Sequence, residues 1–275
     1  MGEFSGTVDF DPGPGVASLT DANPSGDVFI LKLDAAGDFV WAKSLVGTSD
    51  DVARSIKVDV SGDVYTMGSF NSTVDFDPGA GVFNLTSAGS SDSFISKLDT
   101  DGNFVWAKQL GSTGNDEGQA LALDVSGNVY STGRFYETVD FDPGAGTFNL
   151  SAVNADAYIL KLNTTGDFVW AKNISETGYG ENFTVAVDAA GAVYTGGKFN
   201  GTVDFDPGTG VFNLEAMNGD CVVKLDTDGN FVWAITYAGT STELGMAIAI
   251  DNNDNVHVTG QFLLPTLIPA AAFRS

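Results

Sequence analysis

Asp9 and Asp11, Asp75 and Asp77, Asp140 and Asp142, and Asp204 and Asp206 form four pairs of carboxylates, each two residues apart and each followed by Pro-Gly. An extended chain points alternate side chains to the same side, so both members of a pair share one face while Val8 and Phe10, or their equivalents, share the other. Two carboxylates beside a turn could bind Ca²⁺ together with turn carbonyls, because Ca²⁺ takes six to eight oxygens in flexible geometry. The same residues also suit a plain turn, in which Asp accepts backbone N–H bonds next to Pro-Gly. Turn chemistry is the stronger reading, since the segment lacks the full ligand set of an EF-hand loop, and calcium is carried as a possible cofactor.

A second set of acids is Asp51, Asp116 and Glu243, each eight residues before another Asp, with Glu181 seven before Asp188. If the intervening strands line a channel, these carboxylates ring one of its mouths. Like charges held that close raise one another's pKa or recruit a cation. A metal there would polarise a phosphoester or lactone and activate water, with Asp51, Asp116, Glu181 and Glu243 as ligands or bases. Arg54 and Lys57, which occur only in the first of these strands, would then steady the developing anion. Against this, the acids could cap a turn in every copy, and an Arg or Lys at a strand end commonly reaches out to solvent.

The remaining reactive residues offer little. His257 replaces Tyr65, Tyr130 and Tyr194 of the other copies and is the only histidine, so no His-rich metal site can form. Cys221 is the only cysteine, which excludes an intrachain disulfide; it aligns with Val28, Ser93 and Ala157 as a small core residue. The runs Lys97 to Asn103 and Asp251 to Asn255 resemble pieces of calcium loops but sit where hairpin turns are needed. The chain holds no phosphate-binding Gly-Lys-Ser/Thr, no Gly-x-Ser-x-Gly, no His-Glu-x-x-His and no Cys-x-x-Cys.

These residues recur because the chain repeats itself. Thr-Val-Asp-Phe-Asp-Pro-Gly occurs at Thr7 to Gly13, Thr73 to Gly79, Thr138 to Gly144 and Thr202 to Gly208, at spacings of 66, 65 and 64. Each copy then carries Lys-Leu-Asp-x-x-Gly-x-Phe-Val-Trp, as at Lys32 to Trp41 and Lys97 to Trp106 and with Asn163 for Asp in the third, which reads as a hairpin with a glycine turn. A run of alternating large and small residues follows, such as Ile56 and Val58 among Ala53 and Ser55, and then Val64-Tyr65-Thr66-Met67-Gly68. The expectation is all-β: four strands per unit in two hairpins, the Asp-rich segment inserted between them, stacked as propeller blades. Trp41, Trp106, Trp170 and Trp233 would anchor blade to blade. Four units give either a four-bladed ring, closed by pairing the first outer hairpin with the last inner one, or half of an eight-bladed homodimer. The propeller is expected to span 1–262, with 263–275 a non-repeat tail.

Acids outnumber bases 36 to 12, for a net charge of −24. Such a surface repels nucleic acid, whose phosphates need clustered Lys or Arg. No run of 18 apolar residues exists to form a membrane-spanning helix. The first residues lack the basic and apolar regions of a signal peptide, so an export signal, if used, is expected outside this chain.

The run Asp-x-Phe-x-x-Lys-Leu-Asp-x-x-Gly-Asn-Phe-Val-Trp-Ala-Lys, followed by Asp-x-x-Gly-Asn-Val-Tyr-x-x-Gly, resembles the bacterial β-propeller repeat called SBBP, over residues 5–262. The resemblance implies a propeller and a secreted or cell-surface home, and no reaction. The leading expectation is a binding or structural module for a glycan, protein or surface ligand, monomeric or homodimeric, with the metal-dependent hydrolase as its alternative.

Overall fold

In the computed structural model, residues 1–21, 26–174, 179–237 and 247–260 are described, with the side chains of 179–183, 217 and 218 outside the description. Among the described residues every regular element is a β-strand. The chain opens with β1 (Gly2–Phe4), β2 (Thr7–Asp9), β3 (Ser18–Thr20), β4 (Asp27–Leu33) and β5 (Phe39–Gly47). Three complete units follow: β6 (Val52–Val58), β7 (Val64–Asp75), β8 (Asn84–Leu98) and β9 (Phe104–Leu110); β10 (Glu117–Leu123), β11 (Val129–Asp140), β12 (Asn149–Leu162) and β13 (Phe168–Ile174); β14 (Tyr179–Val187), β15 (Val193–Asp204), β16 (Asn213–Leu225) and β17 (Phe231–Tyr237). The hairpin β18 (Ala247–Ile250) and β19 (Val256–Thr259) ends the described chain.

Within each complete unit the strands pair antiparallel in chain order, so each is a meander. This revises the expected pair of hairpins with an insert between them. The second and third strands run on through Thr-Val-Asp and Asn-Leu, and Asp-Phe-Asp-Pro-Gly forms the tip of one long middle hairpin. The extension begins at a bulge, where Ser72 and Glu137 adopt positive φ of 60° and 58° and the equivalent Gly6 and Gly201 do so at 70° and 90°. The bulge turns the tip away from the rest of the sheet.

The core lies between sheets. Tyr65, Met67 and Ile95 of one unit bury against Leu121, Phe135 and Tyr158 of the next, and Tyr130, Ile159 and Trp170 bury against Val185 and Phe199 of the one after. The alternation of large and small residues serves this stacking. Ser55 Oγ accepts from the N–H of Leu121, and Thr184 Oγ1 from that of Ile248, so a slim residue of one first strand touches a bulky one of the next. Trp41 and Trp170 anchor as expected, Trp41 Nε1 donating to Thr100 O at 3.2 Å and Trp170 Nε1 to Thr227 O at 3.1 Å, each in the following unit's turn, while Trp106 Nε1 finds no acceptor. That turn needs glycine, because Gly102 has φ 78° and a Cβ there would sit 2.8 Å from Lys43 Cε.

The sheets thus form a stacked series of propeller type. Among the described residues no strand of the final hairpin pairs with the opening strands, and the expected 263–275 tail lies outside the description.

Candidate functional site

The repeated acids occupy three levels of each unit. At the tip, Asp75 Oδ1 accepts the N–H of Asp77 at 3.0 Å and of Phe83 at 2.8 Å, while Asp77 Oδ1 accepts that of Gly79 at 2.8 Å. Asp140 with Asp142, Asp204 with Asp206, and Asp9 with Asp11 repeat the arrangement. The N–H groups of Ala17 and Asp11 hold the Asp9 carboxyl below the usual range, so it stays anionic. Phe76, Phe141 and Phe205, between the two acids, are fully buried and tie each tip to the core.

At the opposite end of the first strands, Asp59, Asp124, Asp188 and Asp251 each close a tight turn with backbone N–H groups. A tyrosine hydroxyl donates to the first three: Tyr65 to Asp59, Tyr130 to Asp124 and Tyr194 to Asp188. His257 Nε2 stands 3.3 Å from Asp251 Oδ2, filling the tyrosine's place in the fourth copy. The lysine of the second, third and fourth Lys-Leu motifs lies over that ring, Lys97 on Tyr65 at 4.8 Å, Lys161 on Tyr130 at 5.0 Å and Lys224 on Tyr194 at 4.7 Å. Lys97 also bridges to Asp63 at 2.9 Å. Two clefts of about 460 and 300 Å³ open at this end, lined by these turns. Val60 and Val125 at their lips are 98% and 79% exposed, an apolar rim set in acid. The Asp99 turn is likewise a turn held by Asp101 and Asn103, as is the run from Asp251.

The third level was expected at an open channel mouth, and the structure places it elsewhere. Asp51 and Asp116 are 3% and 1% exposed, wedged between consecutive sheets, because the residues before β6 and β10 dive under the preceding unit. Asp116 is well provided for: Ser112 N–H, Ser112 Oγ–H and Tyr136 N–H all donate to it. Asp51 accepts one N–H, from Asn71 at 3.1 Å, and its Oδ2 finds no donor. Burial, with the charges of Asp27, Asp50 and Asp21 nearby, pushes the Asp51 carboxyl up to about 7. Burial likewise raises Asp27, Asp92 and Asp116.

The partner aspartates Asp27, Asp92, Asp156 and Asp220 carry no chemical expectation from sequence. They repeat at spacings of 65, 64 and 64, the first two in Asp-x-Phe, a signal that reads as pattern rather than chemistry until the fold buries them. Glu181 and Glu243, the other two expected acids, fall among side chains outside the description. Arg54 and Lys57 are exposed on β6. Cys221 is buried, its thiol pushed up to about 12 by desolvation and donating to Gly197 O, so it is a poor nucleophile. Among the described residues no group of three or more His, Cys, Asp or Glu side chains is arranged to hold a metal ion, and no helix is long and apolar enough to cross a membrane.

Residues 105–134 match the family model described as beta-propeller repeat, SBBP, a stretch running from β9 through β10 into β11. The chain therefore carries this propeller repeat. It is similar to an uncharacterized WD repeat-containing protein of Acanthamoeba polyphaga mimivirus, 24% identical across 93% of this chain and 22% of the relative. It is also similar to regulatory protein FlaEY of Caulobacter vibrioides, 30% identical across 51% of this chain and 14% of the relative. The chain thus spans less than a quarter of the length of either curated relative. A solved structure of a protein of unknown function from Bacteroides caccae aligns with 84% of this chain and 93% of its own at 9% identity and a TM-score of 0.26.

Proposed function

We propose that this chain, built of β-propeller repeats, serves as a non-catalytic binding or structural module outside the cell, its stacked blades presenting turn loops to a glycan, a protein or another surface ligand. The observation that carries this reading is the repetition of one non-reactive constellation, Asp–Tyr–Lys, in unit after unit. A catalytic site needs one copy to differ. Here the differing residues are an exposed Arg54 and Lys57, a histidine doing a tyrosine's structural work and a buried thiol. The acidic clefts with valine lips are the surface we assign to the ligand. The blades form a four-bladed ring or half of an eight-bladed dimer.

Hydrolysis assays with simple phosphoesters and lactones test the non-catalytic part, and no turnover is expected. Turnover that disappears in Asp51→Asn or Asp116→Asn would overturn it in favour of the hydrolase. Binding is tested on a glycan array with wild type and Val125→Asp; retention that the variant loses is expected.

Calcium enters as a stabiliser of the tips. Each tip supplies two carboxylates, each with one oxygen accepting backbone N–H bonds, plus turn carbonyls, which fits a weak site of the kind with Kd of about 10⁻⁴–10⁻³ M. For a Kd of about 1 mM, ~10 mM Ca²⁺ would add roughly 1.4 kcal/mol per occupied tip. The expected result is a Tm raised a few degrees over EDTA, with the rise abolished when Asp9, Asp75, Asp140 and Asp204 are all changed to Asn. An unchanged Tm would leave the tip aspartates as turn formers alone.

A further inference from the structure

The stack has two unfinished ends that match each other. At its start, β1 pairs with β4 only from Asp27 to Phe29 and leaves the edge from Ile30 to Leu33 open. Those residues, with Trp41 on one side and Ile56, Val58 and Val64 on the other, line a slot of about 250 Å³. The slot faces β6, and there Ile56 and Val58 are 37% and 59% exposed, whereas Leu121 and Val185, the equivalents of Ile56 in later units, are 1% and 6% exposed beneath the preceding first strand, and Leu123 and Val187, the equivalents of Val58, are half-buried. At the other end, the first hairpin β18–β19 pairs with no third strand among the described residues. Val258 is 36% exposed, while Thr66 and Thr195, its counterparts, are fully buried by the third strand of their units.

The register completes the match. In a full unit Val64 to Met67 pair with Leu98 to Ile95, and Gly68 to Phe70 pair with Phe94 to Asp92. The pairs Gly2 with Phe29, Glu3 with Val28 and Phe4 with Asp27 reproduce the second half of that register. The missing first half is Val-x-x-x opposite Leu33 to Ile30, and Val256 to Thr259 is the sequence that supplies it elsewhere in the repeat. The charges agree as well. Lys32 lacks the tyrosine ring that Lys97 has, lying over Trp41 at 6.0 Å and donating to Thr100 O at 2.7 Å, while among the described residues Asp251 and His257 carry no lysine above them as Asp59 and Tyr65 do.

We infer that the slot between β4 and β6 receives the β18–β19 hairpin of a second copy of this chain. Resting on the propeller reading of the stack, this makes the joint a shared blade, with Val258 opposite Leu31 and Lys32 over His257. Each copy offers one slot and one hairpin, so two copies satisfy both joints in a closed ring. The occupant comes from another copy because, among the described residues of the single chain, the slot is open and the hairpin pairs with no third strand at once.

The test exploits a pair whose geometry is already visible. Thr66 and Ser96, the counterparts of Val258 and Leu31, have their hydroxyl oxygens 2.6 Å apart, so cysteines at such a pair are within disulfide reach. In a Cys221→Ala background, Leu31→Cys and Val258→Cys chains are prepared separately, mixed and oxidised. The expected product is a disulfide-linked heterodimer, absent from either chain alone, with wild type at twice 28.6 kDa by light scattering. A chain carrying both substitutions that oxidises only to a monomer would show the ring closing on itself and overturn the proposal. No cross-link in either format, in chains that still melt cooperatively, would overturn the shared blade. The module reading would survive that result, because it depends on the assay and glycan-binding outcomes.

Discussion

Replacing Asp51 with asparagine is expected to raise stability at pH 8 in EDTA and leave it unchanged at pH 4. The carboxyl is pushed up to about 7 from 3.8, chiefly by burial and then by Asp27, Asp50 and Asp21. A group whose folded pKa is raised binds its proton more tightly when folded, so its contribution is complete below the unfolded value near pH 4. It is lost as pH rises through 7, because the folded chain must then either hold a buried charge or give up structure. The rise from 3.8 to about 7 corresponds to an upper bound of about 4 kcal/mol at pH 8. The variant should collect much of that. Its amide oxygen can still accept from Asn71, and its NH₂ can donate beside Asp27, whose Oδ2 also finds no donor. The Asp116→Asn control should behave differently, since that carboxylate already has Ser112 and Tyr136 as donors and an amide would turn an N–H toward one of them. Thermal melts of the three proteins from pH 4 to pH 8 decide the matter. An Asp51→Asn chain that melts below wild type at pH 8 would mean that the carboxylate is held as a stable anion.

Phe141→Ala should be the most damaging single truncation among the tips, costing about 3–5 kcal/mol. Phe141 is fully buried, edge-on to Phe135 at 5.2 Å and against Tyr158 at 5.0 Å, so removing it opens a cavity where the long hairpin meets the sheet. At roughly 2–4 °C per kcal/mol for a chain of this size class, the melt should fall by about 10 °C or more. Phe148→Ala, across the same tip, should cost less than half as much, because that ring is 38% exposed and touches chiefly Phe168. Phe10→Ala in the opening strands should also be mild, since Phe10 is only half-buried against Phe4 and Phe29. Equal losses for Phe10 and Phe141 would mean that the tips do not draw their stability from the sheet behind them.

The amino-acid sequence by itself determined the unit: its four-fold count, its strands and turns, its tryptophan anchors and its slim-and-bulky first strand. These follow from local rules, namely period-2 patterning, glycine at turns and identical residues returning every 64 to 66 positions. It also placed the tip aspartates in a turn, because Asp-Pro-Gly makes its hydrogen bonds within a few residues.

What only the tertiary structure decided is the environment of the other acids. Asp51 and Asp116 read as a channel rim from their position before a strand, yet they are buried, and Asp27 and Asp92 join them from strands 24 residues away. Burial is a property of two sheets meeting, and no local pattern encodes which face of a strand end a neighbouring sheet will cover. The same holds for the long middle hairpin. Its strands run through a bulge at Ser72 and Glu137, where residues other than glycine adopt a left-handed backbone that their side chains do not favour. The matching of Val256–Thr259 to the open edge of β4 likewise needs the pairing register of intact units, which exists only once the chain has folded.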